Sequence, residues 1–389
     1  MRRVYLDNNA TTPLLPEVLG AMQPYFGERF GNASSIHHHG QETRAAVERA
    51  RESVATLIGC RPAEVVLTSG GTEADNLAIF GLVAPGDHVI TSTIEHHAVL
   101  NSCKHLEEGG VEVTYLPVDG RCLVDPDDLR RALRSNTKLV TIMMANNETG
   151  VVQPVEEIGK ICAEADVYFH TDAVQAASKV PIRVKEIGCD LLSISGHKFH
   201  GPQGIGALCV RKGTTLEPLF YGGSHERSRR AGTENVAGIV GLGKAAELAV
   251  KAFESKEDSE MALLRDRLEN AILENVEAAG VNGEGAPRVP NTSNIYFDYI
   301  EGEAMVIALD LKGLAVSTGA ACSSGAIEPS HVLTAMGLRP DRARASIRFS
   351  LGKQNTAEDV DFAIELVPAS VARLRELSPL YRKTSVLQS

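Results

Sequence analysis

The stretch Ser193-Ile194-Ser195-Gly196-His197-Lys198 carries the clearest chemical potential in this chain of 389 residues. It follows an apolar run and precedes the loop Gly201-Pro202-Gln203-Gly204, so Lys198 stands at the end of a buried strand. A lysine there is costly unless its amine is neutralised or used covalently, and condensation with an aldehyde does both; a loop lysine in solvent is the plain alternative. Three further segments bear on that choice. Val65-Val66-Leu67-Thr68-Ser69-Gly70-Gly71-Thr72-Glu73 reads as strand, glycine turn and helix start. The backbone N–H groups of Gly71 and Thr72, at a positive helix end, suit a phosphate, although an ordinary turn looks the same. Neither a Walker loop nor a dinucleotide fingerprint is present. In His170-Thr171-Asp172-Ala173-Val174-Gln175 a carboxylate follows an apolar run, where it can pair with a protonated ring nitrogen or cap a helix. In Thr93-Ile94-Glu95-His96-His97 an imidazole can stack on a ring or simply face solvent.

The elements that must position these residues alternate. Candidate strands cover 65–68, 88–91, 112–116, 139–143, 167–170, 191–193 and 205–210, with helical periods such as 126–133 and 155–163 between them. Asp125 and Pro126 suit the cap and first position of the former helix. Such alternation predicts an α/β fold with a mostly parallel sheet, covered by helices on both faces. All four chemical segments then fall at carboxyl ends of strands, where open α/β sheets bind ligands. An amphipathic helix bearing Val47, Ala50, Val54, Leu57 and Ile58 ends at Gly59.

After residue 232 the character changes. An Ala/Leu/Glu-rich helical stretch runs to about Ala279 with breaks, and 280–290 reads as a Gly/Pro junction. Strands at 293–299, 315–317 and 346–351 and a helix at 303–311 follow. A last helix opens at Thr356 with Asp359 three residues on, and Pro368 is expected to kink it. The length exceeds what one hydrophobic core usually spans. The expected division is an N-terminal segment 1–14 packing with a small domain, a large domain 15–260, and a small α+β domain 261–389 with a mobile loop at 317–328.

Of the residues 43% are hydrophobic and 23% charged, as in a globular protein, and the formal net charge of -11 disfavours nucleic acid and anionic membranes as partners. No apolar run is long enough to span a bilayer, and the first residues lack a signal-peptide core, so a cytoplasmic location is expected. The cysteines number 7, and none forms a C-x-x-C pair, which argues against structural zinc and a redox dithiol. The run His37-His38-His39 precedes a helix and is an incomplete metal site, so no metal is expected. Most cysteines should be buried packing residues, Cys209 in an apolar strand most clearly. Cys322 differs: Ala, Ser and Gly flank it, little can bury it, and a moving thiol nucleophile is expected there.

The motifs resemble those of the cysteine desulfurases of the NifS/IscS type, fold-type-I enzymes that use pyridoxal phosphate. The likeness runs from Tyr5-Leu6-Asp7-Asn8-Asn9-Ala10-Thr11-Thr12-Pro13 to Leu377-Ser378-Pro379-Leu380. It includes Thr68 to Glu73, Glu95-His96-His97-Ala98-Val99-Leu100, Asn146-Asn147-Glu148-Thr149-Gly150, Ser195 to Lys198, and Arg230-Ala231-Gly232-Thr233-Glu234-Asn235. Its most discriminating part is Ser317-Thr318-Gly319-Ala320-Ala321-Cys322-Ser323-Ser324-Gly325, similar to the family's mobile cysteine loop.

The resemblance implies a large domain with a seven-stranded, mostly parallel sheet. It also implies that Lys198 binds the cofactor covalently, Asp172 pairs with its ring nitrogen, Gln175 hydrogen-bonds its phenolic oxygen, and His96 stacks on it and moves protons. Gly71, Thr72, Ser195 and His197 would hold the phosphate, with Thr233 from the partner in a homodimer. Asn147, Arg348 and Asn32 would meet the carboxylate of L-cysteine, and a guanidinium suits that role through parallel hydrogen bonds. Cys322 would take the sulfur as a persulfide for an acceptor such as an iron–sulfur scaffold, leaving alanine. Selenocysteine lyase, another transferase on this fold and a non-catalytic binding module are the rival readings; the thiol on a mobile loop argues against a transaminase. Two departures stand out: His97 replaces the lysine common in relatives, and a short tail ends at Ser385-Val386-Leu387-Gln388-Ser389, which leaves the acceptor open.

Overall fold

The computed structural model describes residues 2–318, 329–379 and 381. Seven strands form the main sheet in the order Val65–Thr68, Gly206–Val210, Leu191–Ser195, Tyr168–Asp172, Thr137–Thr141, His88–Ser92, Glu112–Leu116. Every pair is parallel except those made by Gly206–Val210, which runs against both neighbours. Strands Leu191–Ser195 and Gly206–Val210 are buried along their whole length, and Tyr168–Asp172 is buried beyond its first residue, as a sheet covered on both faces requires.

Helix His38–Ile58 is capped at its start by His37, whose Nδ1 accepts from the Gly40 N–H, and at its end by Gly59 in the left-handed conformation, φ 73°. It packs along Val236–Ser255. The backbones approach so closely that a Cβ on Gly243 would lie 2.5 Å from Ala50 Cα. Glycine there has a packing cause. The histidine run therefore starts this helix rather than preceding it, with His38 and His39 in its first turn.

A second apolar core joins Leu268, Ile272, Ile295, Phe297, Phe349, Val360 and Val367, with Val4 and Leu6 of the N-terminal segment. It surrounds a three-stranded antiparallel sheet with Thr292–Phe297 central, between Ala279–Val281 and Ser346–Ser350. Val4–Tyr5 pairs in parallel with Leu314–Ala315.

Several sequence expectations shift here. The helical stretch breaks at Lys256, φ 62°, and its second helix Glu257–Asn275 ends before Ala279. The stretch 280–290 is more than a junction: it begins in an edge strand, and its later part docks on the loop at 150–152, where Val152 N–H donates to Pro287 O and Val289 N–H to Gly150 O. The last helix, Ala357–Leu377, opens with a full capping box and continues through Pro368, with Val360, Val367 and Val371 buried along it. No described helix is long and apolar enough to cross a membrane.

Candidate active site

Four strand ends converge. Lys198 closes a short 3-10 turn, Gly196–Lys198, directly after strand Leu191–Ser195, and Asp172 is the last residue of the neighbouring strand. The Lys198 Nζ donates to Asn9 O at 2.7 Å and to Ala10 O at 2.9 Å. The N-terminal segment thus lies over this turn, and Thr12 adds both its N–H and its hydroxyl as donors to His197 O. Lys198 is half-buried and bonded, not a solvent lysine.

Asp172 is buried, and its Oδ1 accepts from Val174 N–H at 2.8 Å. Burial raises its carboxyl to about 6, against the opposing effects of that N–H and of Lys198. Helix Gly71–Phe80 begins after Gly70, whose φ of 156° only glycine tolerates readily, and no side chain caps its first N–H groups. They stay free for an anion. A Cβ on Gly71 would meet Val174 Cγ2 at 2.7 Å and Ser195 Cβ at 3.5 Å, so this turn presses on both neighbouring strand ends. Thr72 is exposed at the helix start and Ser195 is buried. His197 pairs through Nδ1 with Thr11 Oγ1 at 3.1 Å, and burial with Lys198 nearby pushes it down to about 4.

His96 caps helix His97–Glu108: its Nδ1 accepts from Ala98 N–H at 3.1 Å, which leaves the ring proton on Nε2. Burial, then the positive charge of Lys198, hold it down to about 4, so it is neutral at physiological pH. His97 lies against a third imidazole, His331, with ring centroids 4.9 Å apart. Among the described residues no three His, Cys, Asp or Glu side chains are grouped to hold a metal ion.

Arg348, on the central-sheet side of the second core, is buried; its Nη1 donates to Asn147 O at 3.0 Å and its Nη2 to Asp7 Oδ1 at 2.7 Å. Its Nε has no hydrogen-bond partner among the described residues. One N–H of this guanidinium is thus left for an anion.

Two residues that sequence reasoning missed tie these groups together. Asn9 accepts at its carbonyl from Lys198 and from Gln175 Nε2 (2.9 Å), and its own Nδ2 donates to Asn147 O and Thr292 Oγ1. Lys179 is buried, and its Nζ donates to Asn9 Oδ1 at 3.0 Å and to Gln175 Oε1 at 2.6 Å. Because Gln175 Oε1 is occupied by that amine, the other end of its amide is a donor, as a phenolic oxygen requires. The only signals in the sequence are an asparagine within the run Tyr5 to Pro13 and a lysine indistinguishable from a surface one.

Asn32 and Thr233 are exposed and line a hollow with Ser34, Arg51, His225 and Glu226, and Thr233 also lines a second one with Thr68, Ser69 and Arg230 before helix Gly71–Phe80; neither includes Lys198 or Asp172. The single chain does not bring them to Lys198. Lys198 and Lys179 also line a cavity of about 420 Å³ walled by Leu248, Phe253 and Leu264, which excludes Asp172, His96 and Ser195 and so is not the site itself. Cys322 lies outside the described residues. Of the other cysteines, Cys103, Cys122, Cys162, Cys189 and Cys209 are buried and Cys60 half-buried. Burial pushes the thiols of Cys103, Cys122, Cys162 and Cys189 up to about 12, which removes them as nucleophiles.

These groups fit pyridoxal phosphate by their chemistry: an amine, a buried carboxylate, an amide donor, a fixed imidazole and an uncapped helix start with a hydroxyl beside it. The comparisons agree. The model of the family described as Aminotransferase class-V matches residues 4–362. The chain is 52% identical over 382 residues to the protein named cysteine desulfurase IscS of Dictyoglomus turgidum, covering 97% of each chain. A solved NifS-like protein superposes with a TM-score of 0.88 at 37% identity, covering 96% of this chain and 100% of that one. Another, described as SspA in complex with cysteine, gives 0.80 at 37% identity, covering 90% and 99%. The chain belongs to the class-V aminotransferase family, among the cysteine desulfurases of the NifS/IscS type.

Proposed function

We propose that this chain is a pyridoxal-phosphate-dependent cysteine desulfurase that converts L-cysteine to L-alanine and passes the sulfur to an acceptor protein through Cys322. The observation that carries the reading is the placement of Lys198 and Asp172 at adjacent strand ends, with the uncapped start of helix Gly71–Phe80 beside them. Lys198 holds the cofactor, Asp172 faces its ring nitrogen, Gln175 donates to its phenolic oxygen, and Gly71, Thr72, Ser195 and His197 take the phosphate. Bound there, pyridoxal phosphate supplies the electron sink for bond changes at the substrate's α-carbon. Arg348 and Asn147 orient the substrate carboxylate. The Lys198 amine moves the α-proton, its direction set by Asn9 O and Ala10 O. Neutral His96, its Nδ1 engaged, carries a proton at Nε2 for the leaving and arriving groups. The Cys322 thiolate attacks the substrate sulfur: an S–S bond forms, the substrate's C–S bond breaks, and protonation of the β-carbon gives alanine.

The active assembly is a homodimer in which Thr233, and Asn32 with it, serve the partner's site. Exposed Phe30, Ile36 and Tyr221 on two segments joined by Ser34 Oγ and His225 Nε2 (3.2 Å) support this. The acceptor is an iron–sulfur scaffold or a similar protein, and the setting is cytoplasmic. The chain divides at residues 15–260 and 261–389, a reading that the core around Leu268, Phe297 and Phe349 supports, while the core of Ile94, Met143, Val332 and Leu333 spans the boundary.

The test is to supply L-cysteine and a reductant to the loaded protein. Alanine and sulfide should appear in equal amounts. Cys322→Ser should still bind the cofactor and change colour with cysteine, yet release almost no alanine and retain no labelled sulfur, since a hydroxyl cannot form a persulfide. Full turnover by that variant moves the nucleophile elsewhere, and selenocysteine as the only productive substrate makes the chain a lyase for that amino acid.

A further inference from the structure

Beneath Asp172 lies a second carboxyl for which this function has no use. Asp75, on helix Gly71–Phe80, is 1% exposed, and its Oδ1 makes no hydrogen bond. The facing nitrogen, His170 Nε2, is 3.6 Å away. That imidazole is held between hydroxyls, Thr141 Oγ1 at 2.8 Å on Nδ1 and Ser193 Oγ at 2.9 Å on Nε2, and burial pushes it down to about 3. It is neutral and cannot offset a charge on Asp75. The remaining titratable groups acting on Asp75 are carboxyls, Asp172 and Glu95, and helix His97–Glu108 adds only Cys103 behind Glu95. Asp172 has the Val174 N–H and the attraction of Lys198; Asp75 has neither. A second uncompensated charge in this fully buried place is far more costly than a proton.

We propose that Asp75 is a neutral carboxylic acid in the folded enzyme, a positioning residue that leaves the negative charge of this layer on Asp172, facing the cofactor. Its proton is donated to Ser193 Oγ, the Ser193 hydroxyl donates to His170 Nε2, and His170 Nδ1–H donates to Thr141 Oγ1. Asp75, Ser193 and His170 then each donate once. Burial, reinforced by Asp172 and opposed by the hydrogen bond with Ser193, raises the Asp75 carboxyl well above its ordinary value, in keeping with this order. The inference rests on the reading of Asp172 as the partner of the ring nitrogen.

Infrared spectra of the loaded, full-length protein at neutral pH should contain the carbonyl band of a protonated carboxyl group. Asp75→Asn should remove that band and Glu95→Gln should leave it. Ser193→Ala should move it to higher frequency by taking away its acceptor, a readout that survives if Asp75→Asn fails to fold. Asp75→Asn carries the same zero charge, so its affinity for pyridoxal phosphate should stay within about threefold of the parent's, below the tenfold that one pKa unit represents. Absence of any band that depends on Asp75 or Ser193 overturns the proposal. Asp172→Asn separates the two readings: if it leaves the cofactor's absorbance unchanged while the Asp75 band persists, the cofactor reading fails and the proton stays where it was assigned.

Discussion

A lysine amine buried as deeply as that of Lys179 must be met by acceptors, and here neutral amide oxygens meet it, with the cations Lys198 and Arg348 near enough to repel it. Burial, then those two charges, hold its pKa well below the ordinary value. Lys179→Met should free Gln175 to turn and weaken pyridoxal phosphate binding by about tenfold, the worth of one hydrogen bond, as an absorbance titration would record. Its folded pKa is depressed, so the stability it contributes is present above its unfolded pKa and lost as pH falls through the folded one. The difference in urea midpoint between parent and variant should therefore be largest near pH 10 and shrink as pH falls (Lys is about 10.4 in peptides); a constant difference would mean that the amine is charged in the fold. That Lys198, Asp172, His96 and Ser195 fall at or just beyond carboxyl ends of strands was legible in the sequence because each follows an apolar run. Asn9 and Lys179 were not, because their partners are carbonyls and amides from remote segments, which leave no local pattern.

At the scale of elements, two helices meet with no room to spare. A Cβ on Gly243 would lie 2.5 Å from both Ala50 Cα and Ala50 Cβ. Alanine improves helix propensity by about 1 kcal/mol over glycine in an exposed helix. Here backbone would have to move, and Gly243→Ala should destabilise the fold by about 1–3 kcal/mol in urea unfolding, as overpacked sites do. Adding Ala50→Gly should recover part of that loss, since one of the two close atoms is then absent; no recovery would locate the strain elsewhere. Elements of this kind were legible where apolar period and caps agree: His38–Ile58 closing at Gly59, Pro126–Ala132 opening at Asp125, and Ala357–Leu377 with its capping box. The sequence pattern failed at 280–290, where Gly and Pro signalled a plain linker while backbone bonds to 150–152 use it as part of the packed structure. It also ran the second helix past Asn275, because Val276 and Ala279 extend the apolar period although strand pairing to Phe297 takes over at Ala279.

At the scale of the whole molecule, the residues that fail to reach Lys198 are as informative as those that do. Asn32 and Thr233 sit on segments 26–39 and 220–234, which carry large apolar side chains in the open: Phe30 is 72% exposed, Ile36 94% and Tyr221 83%. A single chain gains nothing from that surface, whereas a symmetric partner buries it twice, once on each subunit. In the homodimer proposed above, the same contact would carry Thr233 across the interface to the partner's helix Gly71–Phe80, although in its own chain Thr233 also lines a hollow with Thr68 and Ser69. Such an arrangement has a consequence that no single-chain site shares. Thr233→Ala should lose cofactor affinity and Lys198→Ala should lose turnover, yet each heterodimer of the two holds one site with an intact Lys198 and an intact Thr233 from the other subunit. Random exchange makes about half of the dimers mixed, so activity should recover toward about a quarter of the parent's. The mixture is incubated with dilution and reconcentration, subunit exchange is verified by native mass spectrometry of a size-tagged pair, and alanine release is followed under limiting cofactor. Activity no greater than that of Thr233→Ala alone, with exchange demonstrated, would place Thr233 in its own subunit's site and remove the reason for reading the exposed segments as the interface.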